Sequence, residues 1–220
     1  MIDSMADVVE SFRRFRIIPV IVIEDPKDGA PLAAALSAGG LPCAEITLRT
    51  PRALDALRSI CDSHPDVLAG AGTVLSEKNA RDARAAGARF VVSPGFNRNV
   101  VDYCRTHGIP VFPGACTPTE ITAALEAGMD VLKFFPAEAM GGVSTLKAIS
   151  APFSAVRFIP TGGITPGNIA KYMELPNVVA CGGSWMAPAS WIAEKQFERI
   201  TNSVREALNG LSLLQDEKPT

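Results

Sequence analysis

A lysine stands inside an apolar run, "VLKFFPAE" (131–138), and a glutamate and an arginine stand in another, "CAEITLRT" (43–50). Side chains alternate along an extended segment, so Val131, Lys133 and Phe135 share one face, and Glu45, Thr47 and Arg49 share another. Charges in a dry interior must be paired or serve a site. One reading is a structural ion pair between Glu45 and Lys133, with Arg49 at the rim. The other is chemical. Desolvation disfavours a charged amine, and a neutral amine attacks carbonyl carbon to give a Schiff base. The cationic nitrogen then takes electrons from an adjacent breaking C–C bond, while a nearby carboxylate moves the protons.

A second constellation is "PTGGIT" (160–165) with "CGGSW" (181–185). Paired glycines leave backbone N–H groups unobstructed, and each pair carries a hydroxyl, Thr161 or Ser184. Tight turns explain one such pair; two on successive apolar runs favour a phosphate cradle.

These residues need a scaffold. Eight short apolar runs recur along the chain: "IIPVIVIE", "CAEITLRT", "VLAGAGTVL", "RFVVSP", "IPVFPGA", "VLKFFPAE", "VRFIPTGG" and "VVACGGSW". Between them lie segments of helical periodicity, such as "PLAAALSAGG", "PRALDALRSICDSHP", "EKNARDARAAGA", "TEITAALEAGM" and "TPGNIAKYM". Strict strand–helix alternation requires parallel pairing through crossovers, and a count of eight favours a closed barrel over an open sheet. The expectation is an α/β fold, a (β/α)8 TIM barrel forming one domain over 1–220, with the barrel from about 17 to 211. The amphipathic "MIDSMADVVESFRRF" becomes an extra N-terminal helix closing the barrel's bottom. "WIAEKQFERITNSVREALNGL" becomes the last outer helix, and "SLLQDEKPT" a polar, frayed tail. Barrel chemistry gathers where strands end. Those ends hold Glu45, Arg49, Thr73, Ser93, Pro94, Pro113, Gly114, Lys133, Phe135, Thr161, Gly162, Gly163, Gly183 and Ser184.

Composition narrows the field. With 21 Lys+Arg against 23 Asp+Glu and no basic cluster, a nucleic-acid groove is not expected, although a small anionic metabolite is. Five scattered cysteines and two histidines show no metal-ligand spacing, which points to a reducing cytoplasm and away from zinc. No leader and no membrane span is read. His64 and His107 read as loop and helix-end residues, Cys116 as packing. The small residues of "GAGT" (70–73) read as room for a ligand.

In order and one per strand, "EITLRT", "GAGTVL", "SPG", "KFFPAE", "GGV", "FIPTGGI" and "GGSW" closely resemble the bacterial 2-keto-3-deoxy-6-phosphogluconate aldolases, also called KDPG/4-hydroxy-2-oxoglutarate aldolases. The resemblance runs from about residue 17 to residue 208. It implies a class I aldolase without metal or cofactor, a homotrimer that cleaves the keto acid to pyruvate and glyceraldehyde 3-phosphate in the Entner–Doudoroff pathway. By the same resemblance Lys133 is the Schiff-base lysine and Glu45 the general acid/base. Arg49 and Thr73 hold the pyruvyl carboxylate, and Thr161 meets the substrate hydroxyls. Gly162, Gly163 and Ser184, with Gly183 beside them, take the phosphate, while Phe135 and Pro94 wall the pocket. Cys116 and Met140 depart from the pattern and bear on substrate preference, not reaction type. Two rivals stay open: a phosphate-binding barrel isomerase or epimerase with Lys133 as an electrostatic group, and a trimeric scaffold with no activity.

Overall fold

Eight strands alternate with helices in the computed structural model, which describes the backbone of residues 3–216 and the side chains of residues 3–212. The strands are β1 (Ile17–Ile21), β2 (Cys43–Thr47), β3 (Leu68–Gly72), β4 (Val91–Val92), β5 (Val111–Phe112), β6 (Val131–Phe134), β7 (Arg157–Pro160) and β8 (Cys181–Gly183). All pair in parallel. Six run in the order β5-β4-β3-β2-β1-β8, and β6 pairs with β7. Single bridges, Gly114 to Lys133 and Thr161 to Gly182, join the two groups and complete the ring of a (β/α)8 barrel. β2 and β3 are buried along their whole length, as strands covered on both faces must be.

Each strand is shorter than its apolar run. "CAEITLRT" stops pairing regularly at Thr47 and "VRFIPTGG" at Pro160. The surplus residues turn off the ladder at the barrel's top and build the site.

The outer layer is α1 (Met5–Phe15), α2 (Gly29–Ala38), α3 (Ala53–Ser63), α4 (Glu77–Ala85), α5 (Arg98–Thr106), α6 (Pro118–Glu126), α7 (Gly142–Ser150), α8 (Ile169–Met173), α9 (Ala189–Ala193) and α10 (Phe197–Asp216). A capping box between Ser4 and Asp7 starts α1. Its buried face of Val8, Val9, Phe12 and Phe15 packs onto the barrel's bottom. There the Phe12 ring lies 5.1 Å from both Phe90 and Phe112, edge-on to the first, and plugs the interior. Burying a ring this completely contributes about 2–3 kcal/mol.

Two expectations change. The single last helix is two, because Lys195 between α9 and α10 takes a left-handed conformation (φ 58) and its amine hydrogen-bonds the buried Asp28 carboxylate across the barrel's rim. The frayed tail is shorter: α10 continues to Asp216, and residues 217–220 lie outside the described residues. No helix among the described residues is long and apolar enough to cross a membrane.

Candidate active site

At Lys133, β6 is bonded to the chain that follows β5. The Lys133 N–H donates to Pro113 O at 2.9 Å, and its carbonyl accepts from Ala115 N–H at 2.9 Å. The side chain therefore leaves a rigid strand, as a reacting group requires. Lys133 Nζ lies 3.1 Å from Glu45 Oε1, and the two side chains are 7% and 3% exposed. The amine also sits 5.2 Å from the centroid of the Phe135 ring, within cation–π range. Space for the carboxylate comes from β3: a Cβ on Gly72 would lie 2.2 Å from Glu45 Oε1. Two residues earlier, a Cβ on Gly70 would lie 2.5 Å from the Phe90 ring. These small residues thus make room for neighbouring side chains, a correction to the ligand space read from "GAGT".

The Phe135 ring also lines a pocket of about 440 Å³, with Arg49, Thr161, Gly162, Gly163, Gly183 and Ser184 among its other walls, while Lys133 and Glu45 do not line it. Gly162 (φ 100) and Gly163 (φ 79) adopt consecutive left-handed conformations open to glycine. Among the described residues, the N–H groups of Gly162, Gly163 and Ser184 donate to no protein acceptor. Three unfilled donors on a pocket wall suit an anion with several oxygens. Thr161 is buried, and its hydroxyl occupies the space that a Cβ on Gly182 would take, 2.4 Å away.

Buried Thr47 spends its hydroxyl on the backbone, donating to Ile21 O and tying β2 to β1. Arg49 lies beyond the strand, exposed at the pocket mouth, where a guanidinium can meet a carboxylate from solvent. Thr73 and Pro94 stand on the same rim but do not line this pocket. Thr73 is held at φ 58, a costly conformation for a β-branched residue and one that tends to persist where a site demands it. Gly114 lets the Pro94 carbonyl approach, since a Cβ there would lie 2.2 Å from that oxygen. Buried Ser93 at the end of β4 has an unpartnered hydroxyl.

Cys116 does more than pack. Its N–H and its thiol both donate to the Glu120 carboxylate, at 2.9 and 3.5 Å, beside the capping box that starts α6. Burial first, then Glu120, pushes the thiol above its ordinary range, which makes it a poor nucleophile. His64 caps the C-terminus of α3, and His107 that of α5, where its Nδ1 meets Tyr103 O. Among the described residues no group of three or more His, Cys, Asp or Glu could hold a metal ion.

Sequence reasoning missed several pocket walls: Val20, Val22, Ile164 and above all Trp185, whose ring lies against Gly183 so closely that a Cβ there would be 1.9 Å away. Only the position of Trp185, just past "GGS", could have flagged it.

Known proteins are similar to this chain along most of its length. Residues 8–203 match the family described as KDPG and KHG aldolase. A 2-dehydro-3-deoxy-phosphogluconate aldolase of Treponema pallidum is 50% identical over 93% of this chain and 97% of its own. Among solved structures, a KDPG aldolase from Legionella pneumophila with pyruvate captured as a covalent carbinolamine intermediate superposes with a TM-score of 0.87 and 43% identity, covering 90% of this chain and 97% of that one. The corresponding aldolase of Zymomonas mobilis ZM4 with 3-phosphoglycerate gives 0.85 and 41%, over 93% and 96%. By matched length and identity, this chain belongs to the KDPG and KHG aldolase family.

Proposed function

We propose that this protein cleaves 2-keto-3-deoxy-6-phosphogluconate to pyruvate and glyceraldehyde 3-phosphate through a Schiff base on Lys133, and that it also accepts 4-hydroxy-2-oxoglutarate. One observation carries the reading: a buried amine 3.1 Å from a buried carboxylate and 5.2 Å from the centroid of the Phe135 ring, which lines the pocket. The Lys133 nitrogen adds to the C2 carbonyl, and Glu45 delivers the proton with which the carbinolamine oxygen leaves as water. Glu45 then takes the proton of the C4 hydroxyl. The C3–C4 bond breaks, its electron pair flows to the iminium nitrogen, and the aldehyde departs. Protonation of the enamine at C3 and hydrolysis return pyruvate and the free amine.

Binding roles follow the family resemblance, with Thr73 and Pro94 acting from the rim outside the pocket. Arg49 and Thr73 hold the keto-acid carboxylate, and Thr161 meets the hydroxyl region. Gly162, Gly163, Gly183 and Ser184 receive the phosphate, while Phe135 and Pro94 keep water from the lysine. The enzyme works as a cytoplasmic homotrimer in the Entner–Doudoroff pathway, without metal or cofactor, and touches neither nucleic acid nor membrane. The pyruvate carbinolamine of the Legionella relative supports the covalent step, and the 3-phosphoglycerate of the Zymomonas relative supports the phosphate site.

The test is mass analysis after incubation with pyruvate and sodium borohydride. A reduced pyruvyl adduct on the peptide holding Lys133 is expected. No adduct on folded protein would return the molecule to the isomerase reading.

A further inference from the structure

One buried tyrosine has no part in this chemistry. Tyr172 on α8 is fully buried, and its hydroxyl donates to Oε1 of Glu138, 34 residues away in the chain. Burial, reinforced by that carboxylate, pushes the phenol above its ordinary range, so it stays a donor. Glu138 belongs to the loop after β6, which begins with Phe135 beside Lys133.

Two glycines clear space for the carboxylate. A Cβ on Gly142 would lie 3.0 Å from Glu138 Oε1 and 3.2 Å from the Tyr172 hydroxyl. A Cβ on Gly163 would lie 2.7 Å from both Cβ and Cγ of Glu138. The glutamate side chain therefore rests directly on Gly163, whose backbone lines the pocket, although neither Glu138 nor Tyr172 lines it. The main chain reinforces the contact: Ala137 N–H donates to Thr161 O at 2.8 Å, and Glu138 N–H to Gly162 O at 3.1 Å.

We propose that the Tyr172–Glu138 hydrogen bond is a strut that positions the Gly162–Gly163 backbone and so sets selectivity for phosphorylated over unphosphorylated keto acids. The inference rests on the aldolase reading above. Gly162 and Gly163 form a turn with no side chains of their own to brace it. Donors bind an anion well only when they are held in place beforehand. The strut has a second effect. Glu138 is an anion next to an anion site, and Tyr172 fixes its charge behind Gly163. A released carboxylate can turn toward the phosphate and repel it. Both effects weaken the phosphate end and spare the lysine end, making Tyr172 and Glu138 positioning residues.

Steady-state kinetics of Tyr172→Phe on 2-keto-3-deoxy-6-phosphogluconate and on 4-hydroxy-2-oxoglutarate test the strut. The change removes one buried oxygen and leaves Glu138 exposed to water, so the barrel keeps its fold. KM for the phosphorylated acid is expected to rise about tenfold, as for one lost charge-assisted hydrogen bond. KM for the unphosphorylated acid, and kcat for both, should stay within about twofold of wild type. Glu138→Ala, at an exposed position, repeats the test should Tyr172→Phe fold poorly. Glu138→Gln keeps an acceptor for the tyrosine and should retain most of the selectivity. Equal losses on both acids, no change on either, or Glu138→Gln as impaired as Glu138→Ala would each overturn the strut. A wild type that turns over neither acid and forms no pyruvate adduct sinks the aldolase reading instead.

Discussion

The two ends of this barrel solve opposite problems with the same device. At the bottom, Gly70 clears space for the Phe90 ring, which meets Phe12 of α1 and Phe112. One pleat higher on the same face of β3, Gly72 clears space for the Glu45 carboxylate, which meets Lys133. A missing side chain serves aromatic packing in one case and a buried ion pair in the other. The bottom is plugged by aromatic rings and closed by a helix; the top holds buried charges, free N–H groups and a strained threonine. In a parallel barrel every strand points its C-terminal end at the same rim, so the fold can give stability to one end and function to the other.

Lys133→Ala should break the comparison most sharply. Turnover is expected to fall by roughly 10⁴ or more, as when a covalent nucleophile is removed, with the borohydride adduct lost entirely. Glu45 is then left buried without its partner, at about 3–5 kcal/mol. Should that unfold the chain, Lys133→Arg keeps a cation without a usable nucleophile, and circular dichroism separates folding from chemistry. Appreciable aldolase turnover in folded Lys133→Ala protein would remove the lysine from the mechanism.

The glycine pair gives the matched test. Gly72→Ala drives a methyl group into the Glu45 carboxyl and should slow turnover by roughly 10²-fold, toward the range of a lost general acid–base group. Gly70→Ala drives the same methyl into the Phe90 ring and should cost about 1–3 kcal/mol of stability, the usual range for overpacking, with kcat near wild type below the melting range. Comparable kcat losses in both would show that the two glycines of β3 do not act independently.

This division was only partly legible in the sequence. The barrel was visible because eight apolar runs alternate with helical periodicity, and the lysine because a cation inside such a run has few explanations. Strand ends were not visible. "TLRT" and "PTGG" continue the run in composition while the backbone turns off the ladder, and hydropathy does not register where a hydrogen-bond partner stops. Gly72 was misread because what it provides is an absence, whose beneficiary lies on a neighbouring strand. Val20 and Trp185 look like core residues, and only the pocket shows that one side of each faces open space. The break at Lys195 and the Glu138–Tyr172 contact depend on partners far away in the chain, beyond any local pattern.

Ser184→Ala sharpens the comparison within the top face, between its lysine end and its phosphate end. Losing one hydroxyl while the backbone donors remain should raise KM for the phosphorylated acid by about three- to tenfold and leave the unphosphorylated acid unchanged. Equal losses on both would move the phosphate elsewhere.

The smallest effect belongs to the bottom's own ion pair, the counterpart of Lys133–Glu45. Arg89 grips Asp3 with two nitrogens, at 2.6 and 2.7 Å, and this hydrogen bonding holds the Asp3 carboxyl below its usual range against a smaller penalty from burial. A carboxyl depressed in the folded state contributes its stability above the ordinary value of about 3.9 and loses it as pH falls through the lowered folded value. The pair is partly open to solvent, so Asp3→Asn should cost no more than about 1 kcal/mol at pH 7 in urea unfolding. The gap between wild type and variant should shrink toward zero as the solution is acidified below pH 3, and it should also narrow in 1 M salt. kcat should not move, because this pair joins the chain's N-terminal segment to the barrel's closed end, away from Lys133 and Glu45. A gap that persists unchanged in acid would mean that shape and neutral hydrogen bonding, not charge, secure the bottom. In that case the chemical end alone would depend on ionisation.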